Sequence, residues 1–169
     1  MPAPCSYPIV VIDFEATALA LDSYPIEVGI AILAEPCGEI ETRSWLIKPD
    51  ADWDISARWD PDAERVHGIR RWDLRQGKNP ATVMGALNAL IPGSEVWCDG
   101  GSYDEAWLMT LAHAAKTEPA FSLRDIGPVL RQDERALNRY QAISVQHPRP
   151  HRAGPDAAAI CAALAAAME

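Results

Sequence analysis

The run Ile9-Val10-Val11-Ile12 is uninterrupted, apolar and β-branched, which predicts a strand buried on both faces that ends at Asp13-Phe14-Glu15. A second run, Ile26–Leu33, leads into the turn Pro36-Cys37-Gly38, and Glu39–Ile47 alternates as a third strand until Pro49. Three strands in succession predict a meander. Residues 50–79 carry no clean period and read as loop with short helical turns. From Pro80 the apolar positions Val83, Leu87, Leu90 and Ile91 recur at helical spacing, and Pro92-Gly93 stops the helix. Glu95–Cys98 is then a fourth strand. Ser102-Tyr103-Asp104-Glu105 has the S-x-x-E form of a capping box, opening a helix through about Ala115 with Asp104 in its first turn. Phe121-Ser122-Leu123 makes a short fifth strand, Ile126–Leu130 and Glu134–Tyr140 are helical pieces, and Gln146–Pro150 is loop. Pro155 occupies a first-turn position ahead of the strong helix former Ala157–Met168. The expected architecture is α/β: one domain over residues 1–169, with a mixed sheet of about five strands, the first three a meander, flanked by helices.

Composition narrows the function classes. At 169 residues, 49% of them hydrophobic and 23% charged, the chain is one ordinary globular domain rather than a disordered one. Fifteen Lys+Arg against 24 Asp+Glu give a net charge of −9, so no general positive field holds a long nucleic acid, and any such contact is local or metal-assisted. Cys5, Cys37, Cys98 and Cys161 form no C-x-x-C or Cys/His cluster, which speaks against a zinc site or a disulfide framework and for a reducing compartment. The first residues lack a basic n-region, and Ala157–Met168 is shorter than the ~20 apolar residues of a membrane span. The expectation is a cytoplasmic protein with no membrane partner.

Asp13 and Glu15 stand two apart at a strand end, so both carboxylates point to one side of an extended backbone. Their repulsion raises a pKa unless a divalent cation sits between them. A lone D-x-E is equally compatible with turn-forming acids. Asp104 and Asp156 read singly as helix-dipole partners, and His151 as a surface histidine. In combination, two strand carboxylates, two acids at helix N-termini and a loop histidine supply hard oxygen ligands for two Mg²⁺ or Mn²⁺ ions and a neutral imidazole able to deprotonate water.

Four segments in order, Ile12-Asp13-Phe14-Glu15-Ala16-Thr17, Glu64-Arg65-Val66-His67-Gly68-Ile69, Asp99-Gly-Gly-Ser-Tyr103-Asp104 and His151-x4-Asp156, resemble the landmarks of the DEDDh 3′-to-5′ exonucleases, a DnaQ-like group with an RNase H-like fold. The resemblance runs from about Ile9 to Leu164. It implies that Asp13, Glu15 and Asp156 ligate one ion, that Asp13 bridges to a second held by Asp104 largely through water, and that His151 is the general base. It further implies release of 5′-mononucleotides from a free 3′ end. Phe14, Ala16, Thr17, Leu19 and Ile69 become substrate-binding candidates: the backbone near Ala16 and Thr17 for the 3′-hydroxyl, Leu19 and Ile69 for the last bases. For Leu19 and Ile69 plain packing is an equal alternative. The family commonly carries His-Asn where this chain has Asp99-Gly100, which puts the hydrogen bonding of that turn in question and makes Asp99 a minor rival ligand.

The substrate expectation is single-stranded or short nucleic acid, leaning to RNA on the phrase Asp-Phe-Glu-Ala-Thr. Arg70, Arg71, Arg75, Lys78, Arg149 and Arg152 are either phosphate contacts or solvated charge. Two other readings compete: a non-catalytic nucleic-acid-binding or interaction relative of the same fold, and an aspartate-nucleophile phosphatase using Asp13, which would need a second Asp at position 15 and a downstream Lys. The Trp content also allows a homodimer interface.

Overall fold

The computed structural model describes residues 7–168; Cys5 and the N-terminal segment considered above as a leader lie outside them. The strands are β1 (Ile9–Ala16), β2 (Pro25–Leu33), β3 (Ile40–Leu46), β4 (Glu95–Cys98) and β5 (Ser122–Asp125). They form one mixed sheet in the order β3-β2-β1-β4-β5. The first three are an antiparallel meander, while β4 runs parallel to β1 and β5 parallel to β4. The helices are α1 (Pro61–His67), α2 (Pro80–Leu90), α3 (Ser102–Ala115), α4 (Ile126–Leu130), α5 (Glu134–Gln146) and α6 (Ala153–Ala167), with a 3-10 turn at Asp73–Gln76. Among the described residues no helix is long and apolar enough to cross a membrane.

β1 is central, and its alternation sorts the core into two layers. Val10, Ile12 and Phe14 pack with Met84, Leu87 and Leu111 of α2 and α3. Ile9 and Val11 face the other way, against Ile160 and Leu164 of α6. The strand ends with its acids, as expected, running to Ala16. Asp13 pairs with Gly29 and Glu15 with Glu27 of β2, because backbone pairing is indifferent to side-chain polarity. The edge strand β3 is mostly exposed instead of alternating, having no neighbour beyond it.

Other expectations shift for physical reasons. Residues 50–79 contain a true helix, α1, opened by the Asp60 carboxylate accepting the Asp62 N–H at 2.8 Å and closed by Gly68 at φ 69°. At seven residues it is too short to show a period. The capping box at Ser102 is not formed. Gly101, at φ 56°, is the N-cap and no side chain caps the helix; Asp104 instead turns back to accept the Gly100 N–H at 2.9 Å. α6 begins at Ala153, four residues before the alanine-rich stretch, and Pro155 is its third residue, within the first turn as expected. Its cap comes from the sheet: Glu27 of β2 accepts the Ala153 N–H at 2.9 Å and clamps Arg152 through both carboxylate oxygens at 2.6 and 3.0 Å. No local sequence signal announces a cap 126 residues away.

One glycine sets how closely α6 meets the sheet. A Cβ at Gly29 would lie 2.1 Å from the Ala153 carbonyl carbon, so only glycine lets the start of α6 rest on β2 beside Asp13. Gly29→Ala should therefore lift the helix start and cost about 1–3 kcal/mol of overpacking. At roughly 2–4 °C per kcal/mol for a chain of this size, thermal denaturation should show a Tm drop of about 2–12 °C; an unchanged Tm would contradict the close approach.

Candidate active site

The strand face that carries Ile9 and Val11 turns acidic at Asp13 and Glu15, just where α6 begins. A cleft of about 440 Å³ opens there, and Asp13, Glu15, Asp104, His151 and Asp156 all line it. Ligand atoms of Glu15, His151 and Asp156 lie within 4.8 Å of one another. Five residues spread over 144 positions of the chain (13 to 156, inclusive) thus share one cavity, delivered by β1, the first turns of α3 and α6, and the loop between α5 and α6.

The acids are in electrostatic conflict. Burial, then the nearby charges of Asp104, Glu15, Asp99 and Asp156, hold the Asp13 carboxyl well above its ordinary range. Burial, with Asp156 and Glu27 adding to it against the opposing Arg152, raises Glu15 from 4.5 to about 8. Burial lifts Asp104 to about 7 despite the Gly100 N–H that favours its charged form. Asp156 is raised by burial, with Arg149 and His151 pulling the other way. Asp156 Oδ1 is buried without a hydrogen-bond partner. Such a set of crowded carboxylates with an orphaned buried oxygen fits a divalent cation, whose charge would reverse the repulsion and occupy the free lone pair.

His151 sits exposed in the loop at φ 55°, a left-handed conformation uncommon for a non-glycine residue. Two arginine clamps bracket it. Arg149 pairs with Asp99 at the end of β4 and lies 3.4 Å from the Tyr140 hydroxyl of α5, and Arg152 is fixed to Glu27. These two arginines, read from sequence as phosphate contacts or solvated charge, have ion-pair partners, and Asp99 is engaged by Arg149.

Among the substrate candidates, Phe14, Ala16 and Leu19 line the cleft, with Leu19 73% exposed. Thr17 is fully buried and its Oγ1 accepts the Tyr24 N–H at 3.1 Å, so it shapes the turn after β1. Ile69 does not line the cleft; it is packed in a small cluster with Ile26 and Leu74. Residues given no site role from sequence complete the walls: Trp107, Asp60 and Asp62, with Tyr103, Val66 and His67 from the quoted motif segments. His67 is buried, its Nδ1 accepts the Ile69 N–H at 3.0 Å, and burial lowers its pKa. The buried Glu27 was also passed over, although an acid in the otherwise apolar run Ile26–Leu33 was a visible signal.

The conflict has a measurable sign. Glu15 is protonated up to about pH 8 when folded but only to about 4.5 when unfolded. In that window the folded state binds more protons, so metal-free stability falls as pH rises. Glu15→Gln should flatten that fall and raise the Tm at pH 8 in EDTA by several degrees, about 2–4 °C per kcal/mol relieved. Mn²⁺ should raise the wild-type Tm at pH 8 and leave the variant nearly unmoved. Melts showing a less stable Glu15→Gln at pH 8 would refute the strain.

The chain matches no protein-family model, and no curated protein matches it.

Proposed function

We propose that the protein is a metal-dependent 3′-to-5′ exonuclease acting on single-stranded or short nucleic acid, leaning to RNA. The observation that carries this reading is the convergence of Asp13, Glu15, Asp104, His151 and Asp156 on one cleft with carboxyls raised by burial and by one another. Asp13, Glu15, Asp104 and Asp156 would hold two Mg²⁺ or Mn²⁺ ions, which supply charge to neutralise the scissile phosphate and to ease deprotonation of water. His151, at the solvent-facing rim, takes the proton of the attacking water. Water oxygen bonds to phosphorus, the bond from phosphorus to the penultimate 3′-oxygen breaks, that oxygen is protonated, and a 5′-mononucleotide leaves. Phe14, Ala16, Leu19 and Tyr103 offer an apolar wall for the terminal nucleoside. The cavity volume is that of a terminal segment rather than a duplex, and the net charge of −9 favours an end that enters a pocket over a long backbone track.

The phosphatase reading is weaker, because no lysine lines the cleft among the described residues. The non-catalytic reading would be favoured by a lost ligand or histidine, and all five residues are present. A cytoplasmic setting belongs to the same proposal. Cys98 and Cys161 are buried free thiols whose pKa burial pushes up, Cys161 to about 12, so they carry little reactive thiolate.

Incubation of 5′-labelled single-stranded RNA and DNA with Mg²⁺ or Mn²⁺ should give a ladder shortening from the 3′ end. Asp13→Ala should abolish it. His151→Ala should slow it by ~10²–10⁴, the usual worth of general-base help. Binding without cleavage by the wild-type protein would favour the non-catalytic relative, and wild-type turnover by His151→Ala would remove the assigned base.

A further inference from the structure

In a chain of net charge −9, residues 65–78 hold Arg65, Arg70, Arg71, Arg75 and Lys78 against the single acid Asp73, and all five cations are exposed. The fold adds a sixth: Ile47 bridges Lys78, and the Lys48 N–H donates to the Lys78 carbonyl at 2.8 Å, bringing exposed Lys48 alongside. Arg65 and Arg70 pair with Asp62 and Asp73, whereas Lys48, Arg71, Arg75 and Lys78 have no carboxylate partner among the described residues. Trp72 lies in their midst, 64% exposed. The Arg75 guanidinium carbon is 3.5 Å from the Trp72 ring centroid, so one indole face is covered by a cation while much of the ring meets solvent.

The strip leads to the cleft. Arg71 lies 5.8 Å from the Trp59 ring, and Trp59 meets His67 edge-on at 6.3 Å. His67 is part of the cleft wall. On the same wall Asp60 and Asp62 would repel phosphates, so the cationic strip is the electrostatically favoured way out for a polyanion. Unpaired cations beside an exposed indole match a chain that offers both phosphates and unstacked base faces, which is a single strand. A duplex hides its base faces, and an acidic peptide has none.

We propose that Lys48, Arg71, Trp72, Arg75 and Lys78 form a docking track for the 5′-ward part of a single-stranded nucleic acid, with Trp72 stacking a base. The polarity of the strand, 3′ end in the cleft, rests on the exonuclease reading; the binding does not.

The test uses a 5′-fluorescein-labelled twelve-nucleotide oligouridylate and anisotropy titrations over a salt series, in the Asp13→Asn protein so that the probe is not cut. Trp72→Ala should weaken binding roughly tenfold or more, and Trp72→Phe should restore most of it. Arg75→Ala with Lys78→Ala should make the slope of log affinity against log salt shallower by about 1.4, at ~0.7 per cation on a single strand. In the otherwise wild-type chain these changes should raise KM for the twelve-mer while hydrolysis of a diuridylate stays within about twofold. Unchanged affinity and salt slope would overturn the proposal, as would equal losses on diuridylate and twelve-mer. So would a change in light-scattering mass with RNA affinity intact, which would make Trp72 a contact between copies. If the wild-type protein cuts neither substrate, the exonuclease reading falls, and the anisotropy series still decides the track.

Discussion

The close seating of the α6 N-terminus on β2 is what the rest of the site depends on. Gly29 removes the side chain that would hold the helix away, and Glu27 supplies the carboxylate that accepts the first helical N–H and grips Arg152. Asp156 in that first turn then overhangs the acidic end of β1. The arrangement gathers like charges where burial makes them costly, and a sequence selected for stability alone would put apolar residues there. The helix N-terminus moderates the repulsion with its own partial positive charge; a bound divalent cation would cancel it.

The same clamp serves the loop that carries His151. A left-handed backbone at a histidine costs energy and persists only when its surroundings over-determine it. Here the surroundings are two ion pairs, one on each side, anchored on β4 through Asp99 and on β2 through Glu27. The Asp99-Gly100 pair therefore has a physical use. Asp99 holds Arg149, and Gly100, where a Cβ would fall 2.7 Å from the Asp104 carboxylate, leaves its N–H free for that acid.

Local signals made much of this legible. Runs of β-branched residues marked β1 and β2, apolar spacing marked α2, and the turn formers around residues 36 and 92 bounded them correctly. The five clustered residues stand out only through the joint pattern of their four motifs; read singly, each has a plain structural meaning. What sequence could not show was long-range. The cap of α6 resides in Glu27, the partners of Arg149 and Arg152 lie 50 and 125 residues away, and the burial of Ile69 follows from contacts with Ile26 and Leu74. Each of these is a tertiary contact with no periodicity to announce it. α1 lies in the stretch read only as loop with short helical turns for a different reason: seven residues are too few for an amphipathic stripe, although Asp60-Pro61 and Gly68 are the right start and stop chemistry.

A cleft built from four acids poses an electrostatic problem for any reaction on a phosphodiester. Without cations it repels the backbone it would have to admit; with them it attracts. Under the proposed function, metal loading and entry of the 3′ end would therefore be coupled, each raising the affinity for the other by the same factor. Attraction that does not depend on metal has to come from outside the cleft, and Lys48, Arg71, Arg75 and Lys78, which have no carboxylate partner among the described residues, gather around Trp72, next to the wall that His67 and Trp59 share. The net charge of −9 sharpens the effect, since a strand repelled by much of the surface is drawn to a local cluster of cations. Under the proposed function, selectivity for a free, single-stranded end would follow from both parts. The small cavity admits a terminus, and an exposed indole rewards bases that are not already stacked in a duplex.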